Sequence, residues 1–550
     1  MAGRRAIIVL VAIAAAPVIG WPVAGLVKVA LERGPGVLFG TLAEARVAGA
    51  IWNSAWTGAL VALIAVAAGT AAALVTERTR IPGRRWLRLG VVAPLIVPPF
   101  VNAFGWTQAY AAHGLLDQLV GVSLPGVYGP LGIVLVLSVA ATPLTWLVVS
   151  GALASRVEPD AEQAARASGA GPLTTLRTVT LPLLRPAILS AAVVAFVFAV
   201  NAFGVPAVLG TPVGFTTITS ELYQDLGLSA DPAAFVRATT LALTLVVLAL
   251  AVTGPADALF GRGRTARTGL PAGAGSQSAG RSRRDRLAGR LVAAAMAVLI
   301  VATSIVPIVA VVLTALTRAI GLAPVPANWT LANFGAAVSG PFVDGLLNSL
   351  VLATAAATVV LLLGALTARL RGRWRALGTV VTLGFAVPGS ALAVGVLLAY
   401  SGLLRDSLAV ILVAYVGKFW ALGHRQLAGS LDRLPADQLR AARASGASAL
   451  DSLASIVVPT LRPAIVAAWL LVFIFSLHEL TMSSLLYGPT TGTLAVVVLN
   501  AQQLGDPTVT AALAVLLTGL VALAAAPLAI VLLGRRPTGG AATVPALVAR

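Results

Sequence analysis

The chain holds three histidines, His113, His424 and His478, too scattered along the sequence to read as a zinc site. It has no cysteine, which excludes disulfides, thiolate metal sites and thiol catalysis. Its two lysines are Lys28 and Lys418. Neither stands in a Gly-x-x-x-x-Gly-Lys-Ser/Thr phosphate loop, because Val27 precedes Lys28 and Phe419 follows Lys418. No Ser/His/Asp order and no paired carboxylates stand out. The residues therefore predict no catalytic group, no metal site and no bound cofactor, and any ATP used must be hydrolysed by another subunit. What remains is a small set of polar groups inside apolar stretches, where ionisable residues are costly and point to function. His478 and Glu479 lie beyond Pro463 by a distance of about 24 Å along a helix. Asn201 stands 277 residues before His478, a spacing that recurs below. These three are candidates for lining a translocation path. Two other readings stay open: Glu479 at the headgroup boundary or capping a helix break, and Asn201 bonding a neighbouring helix. Lys418 has no sequence-local partner, and either pairs with an acid across the bundle or snorkels.

The elements that position these groups are membrane spans. Of the 550 residues 58% are hydrophobic and 10% charged, whereas soluble domains carry about 25% charged residues. Apolar runs of about 20 residues recur, the length that crosses a bilayer. Twelve spans are predicted, at 6–31, 50–75, 89–112, 129–153, 187–209, 235–256, 290–317, 346–368, 377–401, 407–429, 464–487 and 509–533. The first is expected to be a retained span rather than a cleaved signal peptide. The net charge of +19 has two readings, nucleic-acid binding or Arg-rich cytoplasmic loops. The positions of the arginines favour the second. They gather in alternate loops: Arg4 and Arg5; Arg78, Arg80, Arg84, Arg85 and Arg88; the stretch from Arg262 to Arg290; Arg369 to Arg375; Arg535 and Arg536. Such loops stay in the cytoplasm, which places both termini inside. The intervening loops are balanced or acidic, with Glu221, Asp225 and Asp231 in one and Arg237 at the mouth of the next span. Residues 257–289, rich in Gly, Ser and Arg, read as a flexible cytoplasmic linker. It divides the chain into a first half (1–256) and a second half (290–536), followed by a tail (537–550).

Two cytoplasmic loops, at about 156–186 and 430–463, repeat one another. Ala164-Ala165-Arg166-Ala167-Ser168-Gly169-Ala170 recurs as Ala441-Ala442-Arg443-Ala444-Ser445-Gly446-Ala447. Leu181-Pro182 followed by Leu184-Arg185-Pro186-Ala187-Ile188 recurs as Val458-Pro459 followed by Leu461-Arg462-Pro463-Ala464-Ile465. The spacing is 277 residues throughout, from Gly169 to Gly446 and from Pro186 to Pro463. A weaker echo pairs Asn53-Ser54 with Asn348-Ser349. Six spans separate the loops, so the halves are parallel repeats about an axis along the membrane normal. Each loop should form a short helix, with Asp160 as cap and Gln163 in capping-box position in the first copy. Gly169 and Gly446 should end these helices. A second short helix should break at Pro182 or Pro459, and Pro186 and Pro463 should mark the mouth of the next span. Small residues suit a helix that enters a groove in a partner; an interfacial helix without a partner is the other reading.

At these residues the chain resembles the binding-protein-dependent permease family, whose signature is a cytoplasmic loop reading E-A-A-x-x-x-G followed by a hydrophobic residue, x, Leu-Pro. The match includes Ala164, Ala165, Gly169 and Leu181-Pro182, and Ala441, Ala442, Gly446 and Val458-Pro459. Gln163 and Arg440 stand where the family has its leading Glu, and Glu162 lies one residue early. The resemblance implies that residues 163–169 and 440–446, with Pro182 and Pro459, form coupling helices docking on two copies of an ABC ATPase. It also implies a substrate-binding protein outside a bacterial inner membrane. Glu479-Leu480, Gly488-Pro489 and Thr493-Leu494-Ala495 resemble fused iron(III) permeases; relatives for phosphonates, thiamine, polyamines or sulfate share much of this pattern. The expectation is an all-α polytopic importer subunit with two six-span repeats, without nucleic acid as a partner. An ion-coupled secondary transporter is the rival from another class, and would need buried acids beyond Glu479. A membrane scaffold without transport is a second rival.

Overall fold

The computed structural model describes residues 16–534 except 80, 158, 261–282, 320, 339, 371–383, 385–386, 433 and 435. The expected linker therefore lies mostly outside the described residues. So do the tail, Arg4, Arg5, Arg371, Arg373, Arg375, Arg535, Arg536 and the starts of spans one and nine. The described chain is helical throughout, with one isolated β-bridge between Thr317 and Trp329.

Among the described residues nine helices are long and apolar enough to cross a membrane, and a bent pair makes a tenth. These match nine of the expected spans, with the bent pair as span three. Span one is present as Pro17–Val29 and span nine as Gly389–Leu404, both shorter apolar helices. Three expectations need correction. Span three is no straight helix: Arg84–Leu95 and Pro99–Val120 meet at 104°. Val97 is pushed out of helical conformation by Pro98, whose missing N–H ends the ladder. Spans five and eleven begin far earlier than expected, at Pro172 and Leu450, and end at Val200 and Leu477. Finally, two short helices, Ile218–Gly227 and Leu494–Gln503, precede spans six and twelve.

The weak Asn-Ser echo explains how these short helices are held. Asn53 Nδ2 donates to the Thr216 carbonyl (2.9 Å), and Ser54 Oγ accepts from Ile218 N (2.8 Å). In the second half Asn348 Nδ2 donates to Thr490 and Gly492 carbonyls (both 3.0 Å), and Ser349 Oγ accepts from Leu494 N (2.8 Å). Each Ser satisfies an orphan N–H at a helix start, where hydrocarbon offers no other partner.

The halves interlock through their first spans. Tyr400 of the second half donates to the Pro17 carbonyl (2.7 Å), and Tyr110 of the first half donates to the Ala302 carbonyl. Both carbonyls lie in π-helical turns, Ala16–Gly20 and Val301–Ile305, whose widened hydrogen bonding exposes backbone acceptors. Glycines permit the crossing. A Cβ on Gly395 would lie 2.5 Å from the Pro22 carbonyl oxygen, and one on Gly105 would lie 2.9 Å from that of Pro307. Each of the two large apolar cores accordingly draws residues from both halves: Phe100 and Leu137 with Leu499 and Leu517, and Ile218 and Leu241 with Ile411 and Tyr415.

Candidate functional site

The repeated loops share one backbone geometry. The first contains the helix Pro159–Ala167, the second Ala436–Ala444. Each ends on a glycine with positive φ, 87° at Gly169 and 79° at Gly446. Ala170 N bonds the Ala165 carbonyl and Ala447 N the Ala442 carbonyl, both at 3.0 Å. This back-bonding needs the left-handed residue before it, which glycine supplies without steric cost. The Ser168 and Ser445 hydroxyls bond back to the Ala164 and Ala441 carbonyls, at 2.9 and 3.0 Å. Gln163, Ala164, Arg166, Ser168, Arg440, Ala441 and Ser445 are exposed, and Ala165 and Ala442 half-buried. Seven identical residues thus present the same shape twice.

Several local expectations are corrected. Pro159 already starts the first helix, so Asp160 lies inside its first turn rather than at the cap. The chain does not break at Pro182 or Pro459. Five-residue π-helical turns, Leu176–Thr180 and Leu453–Val457, precede each proline, and the helix runs on into the span. The proline then sits at the start of the next helical stretch, where its missing N–H is tolerated. Pro186 and Pro463 lie within that helix rather than at its mouth.

The two loops are anchored differently. In the first, Glu162 Oε1 lies 3.6 Å from Arg78 Nε and accepts a 2.8 Å bond from the Thr180 hydroxyl. Arg78 Nη2 also donates to the Val157 carbonyl (2.8 Å). The loop helix is thereby tied to the inner end of span two. At the 277-residue spacing Leu439 and Val457 replace Glu162 and Thr180. The second loop instead caps its next turn: Ser448 N and Oγ bond Asp451 Oδ2 (3.1 and 2.6 Å), and Asp451 N bonds Ser448 Oγ (3.1 Å).

A second cluster lies where spans five and eleven end. Asn201 terminates span five with its Nδ2 donating to the Val197 carbonyl (2.7 Å). His478 terminates span eleven, beside the Phe475 ring. Glu479 caps a helix break: its carboxylate accepts from Met482 N (2.9 and 3.0 Å), Ser483 N (3.1 Å) and Ser483 Oγ (3.1 Å). The segments after both breaks meet, since a Cβ on Gly204 would lie 3.0 Å from Leu480 and 2.5 Å from Phe100 Cβ. Lys418 donates to the Val387 carbonyl (2.8 Å). The structure thus brings Asn201, His478 and Glu479 to equivalent breaks. The other histidines lie elsewhere. His424 is buried, with Nδ1 2.9 Å from Thr367 Oγ1, and His113 sits on a loop. No group of three or more potential metal ligands occurs among the described residues.

Sequence reasoning missed an ion network in the first half, at the start of span six, the end opposite the repeated loop. Glu221 and Asp225 are fully buried on the helix Ile218–Gly227. Arg46 pairs with Glu221, and Arg237 bonds both Asp225 (2.9 Å) and Asp231 (2.7 Å). Three acids near one Arg at a span mouth were the available signal.

Residues 65–256 and 360–537 match a family described as the binding-protein-dependent transport system inner membrane component. The chain is 26% identical to a probable ABC transporter permease protein, y4fN, of Sinorhizobium fredii, covering 89% of this chain and 88% of that one. It is 24% identical to the Fe(3+)-transport system permease protein FbpB 2 of Haemophilus influenzae, covering 86% and 87%. A molybdenum transport system permease protein, ModB, of Mycobacterium bovis is 33% identical over 37% of this chain and 76% of its own length.

Proposed function

Because the chain belongs to the family of binding-protein-dependent transport system inner membrane components, we propose that it is the transmembrane permease subunit of an ATP-driven importer, both halves in one polypeptide. The observation that carries this reading is the repeated loop. Two exposed helices of identical sequence core, ended by the same left-handed glycine, present one docking shape twice. A duplicated docking element requires a duplicated partner, here two copies of an ATPase whose grooves take the two helices. The Arg-rich loops put these helices and both termini in the cytoplasm, and a cargo-loaded binding protein delivers from the opposite face of the bacterial inner membrane.

In this reading ATP binding draws the two ATPase copies together and moves the loop helices with them. Past the left-handed glycine a second short helix, Pro172–Thr175 or Ala449–Ser452, continues through a π-turn into span five or eleven, so displacement of the loop reaches the breaks at Asn201 and His478. Asn201, His478 and Glu479 border the path where these breaks meet. Ferric iron is the cargo favoured by the relatives named for it that match most of this chain, and the ModB match makes molybdenum the competing cargo to test.

The absence of native cysteine makes the test direct. Ser168→Cys and Ser445→Cys are each paired with a Cys in the groove of the candidate ATPase. Nucleotide-sensitive disulfides at both positions are expected; none at either, with folded protein and partner present, refutes the reading. Uptake that survives ATP depletion but collapses with an uncoupler would favour the ion-coupled alternative. Uptake of radioactive iron against molybdate, with the cognate binding protein, decides the cargo.

A further inference from the structure

Span ten carries two polar side chains one turn apart, Tyr415 and Lys418, which the membrane would normally exclude. They reach two different sites. Lys418 Nζ bonds the Val387 carbonyl at 2.8 Å, at the Val387-Pro388 step just before the helix Gly389–Leu404. That carbonyl lies outside the helix, since Pro388 stands non-helical at its head. Tyr415 Oη lies 2.6 Å from Ser483 Oγ and 3.5 Å from the Glu479 carbonyl, at the break of span eleven. Glu479 satisfies the backbone N–H groups of Met482 and Ser483 at that same break. The two sites are in contact: a Cβ on Gly389 would lie 3.3 Å from Met482 Cγ.

In the first half the equivalent breaks lack these groups. Ser138, Ala141 and Ala202 stand 277 residues before Tyr415, Lys418 and Glu479. There, close packing of Gly204 against Phe100 joins the segments instead.

We propose that Tyr415 and Lys418, with Glu479 capping the break that Tyr415 reaches, form a positioning clamp that ties the Val387-Pro388 step at the head of Gly389–Leu404 to the break of span eleven, so that these two sites of the second half travel as one body. Backbone groups freed at a break must be satisfied within the protein. Here one span reaches both sites at once, so separating them would strand the Val387 carbonyl and the Lys418 ammonium in hydrocarbon. The first half, joined at these breaks by the packing of Gly204 on Phe100, with no hydrogen bond between the two segments among the described residues, has no such penalty and supplies the parting surfaces. The proposal rests on the importer reading for its consequence in transport, and on geometry alone for the clamp.

The test uses the full chain with Gly389→Cys and Met482→Cys, reconstituted with its ATPase. In the otherwise unchanged protein the disulfide should form equally fast with and without trapped nucleotide. In Lys418→Met combined with Glu479→Gln, which leaves no lone buried charge, the rate should fall several-fold in one nucleotide state. Tyr415→Phe should give a smaller fall in the same state. A parent crosslink that rises and falls with nucleotide overturns the clamp, as does a double variant that crosslinks like the parent. If the single charge variants fail to assemble, the double variant and Tyr415→Phe still decide. Failure of the importer reading shows separately, as no stimulation of the ATPase by a loaded binding protein whatever the crosslink does.

Discussion

The two halves share a frame and differ in what braces it. In both, an Asn-Ser pair pins the short outer helix, a tyrosine of the opposite half takes a carbonyl from the first span, and a left-handed glycine shapes the loop. The braces are not duplicated. Ions lock the outer short helix of the first half, through Glu221, Asp225 and Arg237, where Val497 and Ala501 stand at the corresponding positions of Leu494–Gln503. Glu162 ties down the first loop helix, where Leu439 stands in the second. The clamp at the span breaks belongs to the second half alone. The shared frame was thus kept in both copies of a duplicated fold, while the further side-chain braces were divided between them. The difference teaches that the halves are not interchangeable: the first is fixed at its two membrane faces, the second at its middle.

The largest expected effect that would break this comparison is at Arg237. Arg237→Ala leaves Asp225 charged and buried, which should cost about 3–5 kcal/mol. Thr510→Ala, near the start of span twelve, should cost less than about 1 kcal/mol. Thermal unfolding in detergent measures both, and equal shifts would mean that the outer faces are braced alike. Next come the crossing glycines. Gly395→Val and Gly105→Val each force a side chain onto the opposing backbone, at about 1–3 kcal/mol. Both should reduce monodisperse protein on gel filtration, Gly395→Val more, since its Cβ approaches more closely. A variant unaffected in both respects would show that the first spans do not hold the halves together.

A smaller effect tests the loops. Glu162→Gln removes the ionic part of the tie to Arg78 and should cost about 1 kcal/mol, local to the first loop. The crosslinking rate of Ser168→Cys to the ATPase should change while that of Ser445→Cys stays constant. Equal changes would mean that the loops report on one another. The smallest expected effect sharpens the shared frame. Ser54→Ala and Ser349→Ala each remove one hydrogen bond within the membrane, worth about 0.6 kcal/mol on average. The two losses in melting temperature should match.

Much of this was legible in the residues. Span lengths follow from bilayer thickness, and the alternation of arginines follows from the sidedness of loops. The 277-residue spacing located both repeated loops, and most spans stand close to their expected positions because apolar length is a local property of the chain, whereas spans five and eleven begin about fifteen residues early because the loop's second helix runs on into them. The site was legible in part. The left-handed glycines followed from Ala-rich helix ending on Gly169 and Gly446, and Asn201 and His478 proved equivalent as their spacing indicated. The break of span three had a readable signal in Pro98-Pro99 that the apolar run concealed. The π-turns had none, because they depend on how the helix backbone accommodates Pro182 and Pro459.

By itself the sequence determined an all-α membrane protein built of two parallel repeats, because hydrophobic length, charge sidedness and internal identity need no knowledge of neighbours. Only the tertiary structure decided that each first span crosses to the opposite half, that Glu162 meets Arg78, and that Lys418 serves one break while Glu479 serves another. Those pairings join residues far apart in the chain, and nothing local specifies a partner across a bundle. They arise because hydrocarbon supplies no hydrogen bonds, so every polar group left over by a break must find one from whichever span the packing brings near.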